Sequence, residues 1–299
     1  MYNKTVTLSN GVVVPQLALG TWLIDDDKAA EAVRQAVELG YRHVDTARAY
    51  ANECGVGEGV RTCGIPREEL FVTTKLAAER KDYHSAVEAI DGSLEALGLD
   101  YIDLMIIHSP QPWVEVNQSD DRHFEGNLEA WRALTEAYKA GKIRAFGVSN
   151  FLKEDIDNIW DNAEVKPMVN QVLCHISNTP LDLIEYCQTK GIAMEAYSPV
   201  AHGEALKNPA ISEMAQKYGV TVPQLCIRYD LQLGMITLPK TANPAHMKAN
   251  GDVDFEISAE DMEALKRVEK IENYGDSSYF PVFGGKLKGY SGKPGTEEI

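Results

Sequence analysis

Eight short apolar runs recur along the chain, at 17–20 (LALG), 43–45 (HVD), 71–75 (FVTTK), 102–108 (IDLMIIH), 145–150 (AFGVSN), 168–172 (MVNQV), 193–198 (AMEAYS) and 235–240 (MITLPK). Between them lie stretches with apolar residues at helical spacing, such as KAAEAVRQAVELG (28–40), SAVEAIDGSLEALG (85–98) and LEAWRALTEAYKAG (128–141). Each of these three ends in glycine, the residue that closes a helix in the left-handed conformation. Strand and helix in strict alternation imply parallel strands with helical crossovers. Eight such units, with strands too apolar to face water, predict a closed (β/α)8 barrel, a TIM-barrel α/β fold spanning 1–299 as one domain. Ahead of the barrel, two β-type runs flank Asn10-Gly11, which predicts a two-residue hairpin turn plugging the barrel's N-terminal end. The Gly-, Lys- and Ser-rich stretch from about residue 274 reads as a loose tail.

An open, doubly wound sheet is the competing architecture. It requires a glycine-rich phosphate turn directly after the first strand, where this chain reads Gly20-Thr21-Trp22. The string Gly55-Val56-Gly57-Glu58-Gly59 has glycines at suitable spacing, but no strand precedes it and Glu58 would oppose a phosphate. It reads instead as a helix packed closely against its neighbours.

A formal charge of −16 over 299 residues argues against a nucleic-acid partner, which needs a basic face. The N-terminus has no apolar leader and no run approaches the length of a membrane span. Five scattered cysteines, none in a CxxC pair, suit free thiols in a reducing compartment and supply no thiolate metal site. The expectation is a cytoplasmic monomer without metal, membrane or nucleic-acid partner, acting on a small molecule.

In a (β/α)8 barrel the chemistry sits at the C-terminal ends of the strands. Here the residues closing the apolar runs are Trp22, Asp45, Lys75, His108, Ser149 with Asn150, Asn170 with Gln171, Tyr197 with Ser198, and Lys240. Taken singly, a strand-end Asp often caps a helix, a Lys snorkels and a His sits satisfied in a core. Three ionisable groups on consecutive strands, all at one mouth, are harder to explain structurally. Tyr50 follows Asp45 by five residues. A lysine ammonium beside its phenol would lower the phenol's pKa, an aspartate would hold that lysine charged, and a neutral histidine would orient a substrate oxygen. Such a set suits protonation of an alkoxide formed as hydride reaches a carbonyl carbon.

These strings, taken together, resemble the aldo-keto reductases over nearly the full chain. DTARAYANECGVG (45–57), FVTTKL (71–76), IDLMIIHSP (102–110), GKIRAFGVSNF (141–151) and LPKTANPAHMKAN (238–250) are similar to that family's motifs, in the branch of diketogluconate and methylglyoxal reductases. The resemblance implies a catalytic tetrad of Asp45, Tyr50, Lys75 and His108, and NADPH as cofactor. It implies Gly20 and Thr21 beside the cofactor, Ser149, Asn150 and Gln171 on the nicotinamide amide, Tyr197 stacked on the ring and Ser198 at the pyrophosphate. Lys240, Thr241, His246 and Asn250 fall at the adenosine end, where Asn243-Pro244 also read as a helix start that favours an anion.

This chain departs from the family's pattern at that end. His246 stands where an arginine is usual and Ala249 where a glutamate is usual, and an imidazole lacks the guanidinium fork. NADPH is therefore expected with weakened discrimination against NADH. Ser109 replaces a frequent tryptophan after His108, which predicts a more open or polar substrate pocket, walled by Trp22, Trp113 and Tyr279. The polar, acidic stretch QPWVEVNQSDDRHFEG (111–126) disfavours strongly anionic substrates. The expected activity is reduction of aldehydes or ketones. Two alternatives stand beside it: a non-catalytic, regulatory cofactor-binding protein of the same fold, and a barrel isomerase or aldolase using Lys75 as a Schiff-base amine.

Overall fold

In the computed structural model, which describes residues 1–287, the apolar runs form a barrel of eight parallel strands. They are β3 (Leu19–Gly20), β4 (His43–Asp45), β5 (Phe71–Leu76), β6 (Ile102–Ile107), β7 (Ile143–Ser149), β8 (Val169–Leu173), β9 (Ala193–Tyr197) and β10 (Ile236–Leu238). Neighbours in sequence are neighbours in the sheet throughout. The ring is closed by parallel bridges between Leu17 and Thr237 and between Gly20 and Lys240. All of β5 and β6 is buried, as expected of strands covered on both faces.

The crossovers are α1 (Asp26–Glu38), α2 (Glu53–Thr62), α3 (Tyr83–Leu97), α4 (Phe124–Lys139), α5 (Lys153–Asn162) and α6 (Leu181–Thr189), with α7 (Pro209–Lys217) and α8 (Val222–Gln232) together between β9 and β10. Helices α9 (Pro244–Gly251) and α10 (Ala259–Leu265) follow the last strand. Their ends carry the expected chemistry: Asp82 accepts from Ser85 N at the start of α3, and Gly98, with φ +61°, ends it.

The glycine string lies inside α2 and works by close approach. A Cβ on Gly55 would come within 2.0 Å of Asp26 O, and one on Gly57 within 2.0 Å of Leu97 O. The missing side chains let α2 seat against α1 and the end of α3.

Two expectations need correction. The hairpin of β1 (Thr5–Thr7) and β2 (Val13–Pro15) does cover the strands' N-terminal ends, with Asn10 Nδ2 donating to Arg144 O and Gln16 Nε2 to Met235 O. Its turn, however, is not a two-residue one. Leu8 N bonds Val12 O, Gly11 N bonds Leu8 O, and Gly11 alone of the pair has positive φ. That is a three-residue loop with glycine in the left-handed position. The stretch from Tyr274 to Leu287, expected as part of a loose tail, is packed. Tyr274 and Phe283 are buried in a second apolar cluster with residues of α7, α8 and α10. Side chains of the β6–α4 loop hold it from the other side: Asn117 Nδ2 donates to Pro281 O and Gly285 O, and Gln118 Nε2 to Leu287 O. The remainder of the expected tail, 288–299, lies outside the described residues.

Candidate active site

The strand ends converge on a cavity of about 660 Å³ at the barrel mouth, lined by residues at the ends of β3, β4 and β6 through β10. Asp45 closes β4, Lys75 lies one residue before the end of β5, and His108 follows β6 directly. Parallel register places these three strands side by side. Tyr50 ends a single 3-10 turn, Arg48–Tyr50, that leaves β4. Ala51 then takes a left-handed conformation, φ +53°. Asn52, which sequence reasoning missed, locks this loop to its neighbour: its Nδ2 donates to Thr21 O and Ile24 O, and its Oδ1 accepts from Thr46 Oγ1. All three bonds are buried, so the position of the phenol is set by backbone rather than by a mobile tether.

The wholly buried Lys75 ammonium spends its donors on Asp45 Oδ1 (2.6 Å), Thr46 O (2.9 Å) and Tyr50 Oη (3.2 Å). Burial alone would push this ammonium's pKa down; Asp45 and Tyr50 more than offset that, and it stays above the usual lysine value. The phenol differs from expectation. Burial raises the Tyr50 pKa, and the pull of Lys75 in the other direction does not cancel it. The phenol thus holds its proton at neutral pH, as a donor must. The His108 ring lies 5.8 Å from the Tyr50 ring, edge to face. Burial, with Lys75 nearby, drives its pKa well below the histidine range, so the imidazole is neutral. Four groups expected to meet do meet.

Along one side of the cavity run Gly20, Thr21, Ser149, Asn150, Gln171, Tyr197 and Ser198, and at its far end Lys240, Thr241, His246, Ala249 and Asn250. A Cβ on Gly20 would lie 2.9 Å from Leu238 O, so the glycine permits closure of the barrel at β3 and β10. Thr21 Oγ1 donates to the carbonyl of Asp45. Asn150 donates from Nδ2 to His108 O and Ser149 Oγ and accepts from Tyr197 Oη at 2.7 Å, which fixes the plane of the tyrosine ring. At the far end Asn243 Oδ1 accepts from Ala245 N, Pro244 opens α9, and Lys240 and His246 are exposed beside it. This is a cationic helix start of the kind that binds phosphate.

The other end of the cavity is aromatic. The Phe280 ring lies 5.5 Å from Trp22 and 5.2 Å from Trp113, and Trp113 stands 5.1 Å from His108. Two expectations are corrected here. Tyr279 is exposed, and its neighbour Phe280 is the wall. Ser109 does not open the pocket, because it is buried behind it, its Oγ accepting from Gln111 N and its carbonyl from Lys81 Nζ. Trp113 closes the space instead. His202, which nothing in its local sequence singles out, bridges Ser198 Oγ and Ser277 Oγ at 3.2 and 3.1 Å and packs edge-on against Trp22.

The cavity thus joins a proton-holding phenol and its paired lysine to an anion-ready helix start, with room along one wall for an extended molecule. These are the parts of a barrel enzyme that works on a long, phosphate-ended cofactor. Residues 16–270 match the model of the aldo/keto reductase family. A glyoxal reductase of Bacillus subtilis is 41% identical over 273 residues, covering 91% of this chain and 95% of the relative. A glycerol 2-dehydrogenase (NADP(+)) of Saccharomyces cerevisiae is 38% identical, with 89% of this chain and 91% of the relative covered. Among solved structures, a Bombyx mori aldo-keto reductase in complex with NADP superposes with a TM-score of 0.81 at 33% identity, over 92% of this chain and 95% of that one. The chain belongs to the aldo/keto reductase family.

Proposed function

We propose that the protein reduces uncharged aldehydes and ketones with NADPH, with Tyr50 as proton donor. The observation that carries this is the Tyr50 phenol, facing the same cavity as a neutral His108 and backed by the buried Lys75 ammonium that Asp45 holds against it. NADPH supplies the hydride. Ser149, Asn150 and Gln171 would hold the nicotinamide amide, Tyr197 would stack on the ring, Ser198 would meet the pyrophosphate, and Lys240, Thr241 and the α9 start would receive the adenosine phosphate. As hydride arrives, His108 hydrogen-bonds the carbonyl oxygen and Tyr50 gives it a proton. The nascent phenolate is stabilised by an ammonium already in place, so little reorganisation is required in the transition state.

The family membership and the likeness to an NADP-bound neighbour support the cofactor. The aromatic wall of Trp22, Trp113 and Phe280, without Lys or Arg among the described residues lining that end, supports a neutral substrate. NADH is also accepted, because His246 grips the adenosine phosphate of NADPH only weakly and so discriminates little against a cofactor that lacks it. The Schiff-base reading of Lys75 is disfavoured, since a lysine held as ammonium by three acceptors is a poor nucleophile. Among the described residues no helix is long and apolar enough to cross a membrane, and five free cysteines support a reducing, cytoplasmic compartment. A panel of neutral and anionic carbonyls, assayed by loss of NADPH absorbance, tests the reading. Turnover of neutral aldehydes or ketones is expected, and no consumption with any carbonyl would overturn it.

A further inference from the structure

Glu195 sits in the middle of β9, wholly buried, opposite Gln171 in the sheet register. Gln171 Nε2 donates to Glu195 Oε2 at 2.8 Å and to Asp45 Oδ2 at 2.9 Å. Both N–H groups of the amide are therefore spent on carboxyls, and only its carbonyl oxygen remains for a ligand in the cavity that Gln171 lines. We propose that Glu195 is a positioning residue for the reduction, clamping the Gln171 amide so that its Oε1 faces the nicotinamide carboxamide while its other N–H steadies Asp45. The inference rests on the cofactor reading above.

The clamp works because its own charge is off at neutral pH. The ionisable groups facing Glu195 are Asp45 from β4 and Lys75 from β5; β8 offers the Gln171 amide, and the neighbouring strand β10 offers only uncharged Ile236 and Thr237 in this register. Lys75 is already matched to Asp45, so a charged Glu195 would leave one buried negative charge without a cation. Burial and the Asp45 charge push its pKa up to about 8. Its Oε2 accepts from Gln171 and its Oε1 has no hydrogen-bond partner, so Oε1 is the oxygen free to carry the proton of the neutral acid. Loss of that proton would place a second anion beside the Asp45–Lys75 pair. That weakens the stabilisation Lys75 offers a Tyr50 phenolate, and turnover falls.

Two variants test this, with NADPH affinity read by fluorescence and kcat followed from pH 6 to 9.5. Glu195→Gln keeps an acceptor and carries no charge. Its NADPH affinity and its kcat at pH 7 should stay within about twofold of wild type, while the wild-type fall in kcat centred near pH 8 disappears. Glu195→Met removes the acceptor. It should weaken NADPH binding and lower kcat, each by roughly ten- to a hundredfold, the scale of losing orientation at a reacting centre, with the aldehyde KM nearly unchanged. Superimposable pH profiles for wild type and Glu195→Gln would overturn the proposal, as would wild-type NADPH affinity in Glu195→Met. If Glu195→Met does not fold, the Glu195→Gln profile decides alone. Tyr50→Phe run in parallel separates the two levels. Normal turnover there sinks the reading of the reaction itself, whereas a dead Tyr50→Phe with silent Glu195 variants sinks only the clamp.

Discussion

The floor of the cavity and its rim are built on different principles. On the floor, Asp45, Lys75, Gln171 and Glu195 stand on barrel strands and are joined by hydrogen bonds of 2.6 to 2.9 Å. At the rim, Trp113 comes from a long loop after β6 and Phe280 from the C-terminal segment; their rings pack against each other, and hydrogen bonds from Asn117 and Gln118 tie the two segments together. A sheet fixes side chains to within the tolerance a proton transfer needs; contacts between loops fix a shape that can change without disturbing the chemistry beneath. Substitutions that break the floor's hydrogen bonds or unpair its charges should therefore act on kcat and on stability, and those at the rim on which carbonyl is accepted.

The largest effect is expected at Tyr50. Tyr50→Phe should lower kcat for aldehyde reduction by roughly two to four orders of magnitude, the usual scale of a lost general acid, while NADPH still binds. Steady-state turnover with fluorescence titration of the cofactor checks both halves. Near-normal turnover would break the claim that the floor, with the Tyr50 phenol held against it by Lys75, carries the chemistry.

Lys75→Met should be slow as well and, unlike Tyr50→Phe, unstable. It leaves Asp45 buried at the floor without its cation, and breaking one half of a buried pair costs about 3–5 kcal/mol. A thermal melt that matched wild type would show that the barrel's stability does not depend on this pair, and a variant that still reduced carbonyls at the wild-type rate would end the proton-transfer scheme.

At the rim, Phe280→Ala and Trp113→Ala should change kcat/KM for a bulky apolar aldehyde by about 1–3 kcal/mol, the scale of lost apolar contact in a specificity pocket. The kcat for a small aldehyde should stay within about threefold of wild type. If the small substrate suffers as much as the large one, rim and floor are not separable, and the 5.1 Å packing of Trp113 on His108 would be the place to look for their coupling.

The same division governs how much was legible in the sequence. Asp45, Lys75 and His108 could be read because a strand end in a barrel has a known address, and a charged residue there has few structural uses. Glu195 left the same kind of signal, an acidic residue inside the apolar run AMEAYS, but it lies two positions before the strand end and a search confined to strand ends passes over it. Loop residues carry no such address. Tyr279 and Phe280 are equivalent in sequence, and what seats the second rather than the first is a grip from Asn117 and Gln118, more than 160 positions away. The substitution at Ser109 was visible, but not that the serine would turn inward to Gln111. The hairpin shows the same limit at short range: Asn10-Gly11 marks the turn, but the Leu8–Val12 pairing sets its length.

The smallest effect belongs to the far end of the cavity, which is loop-borne like the rim but open to water. His246 is exposed there beside Lys240, with the start of α9 supplying free N–H groups. An arginine at 246 would offer a guanidinium fork to the adenosine phosphate of NADPH. Water and salt screen an exposed pair, so the gain should be only about 0.5–1 kcal/mol, roughly a two- to fivefold increase in the NADPH-to-NADH ratio of kcat/KM. The change should appear in KM for NADPH, with kcat and the aldehyde KM unmoved, because nothing at position 246 touches the floor. Raising the salt should erase most of it, since the Debye length shrinks from about 10 Å at 0.1 M to about 3 Å at 1 M. A wild-type ratio already above about a thousandfold, roughly 4 kcal/mol, would mean that Lys240 and the helix start discriminate fully without an arginine. A shift in kcat for the His246→Arg variant would mean that the two ends of the cofactor are coupled, and the separation between chemistry held by strands and recognition held by loops would fail at this end.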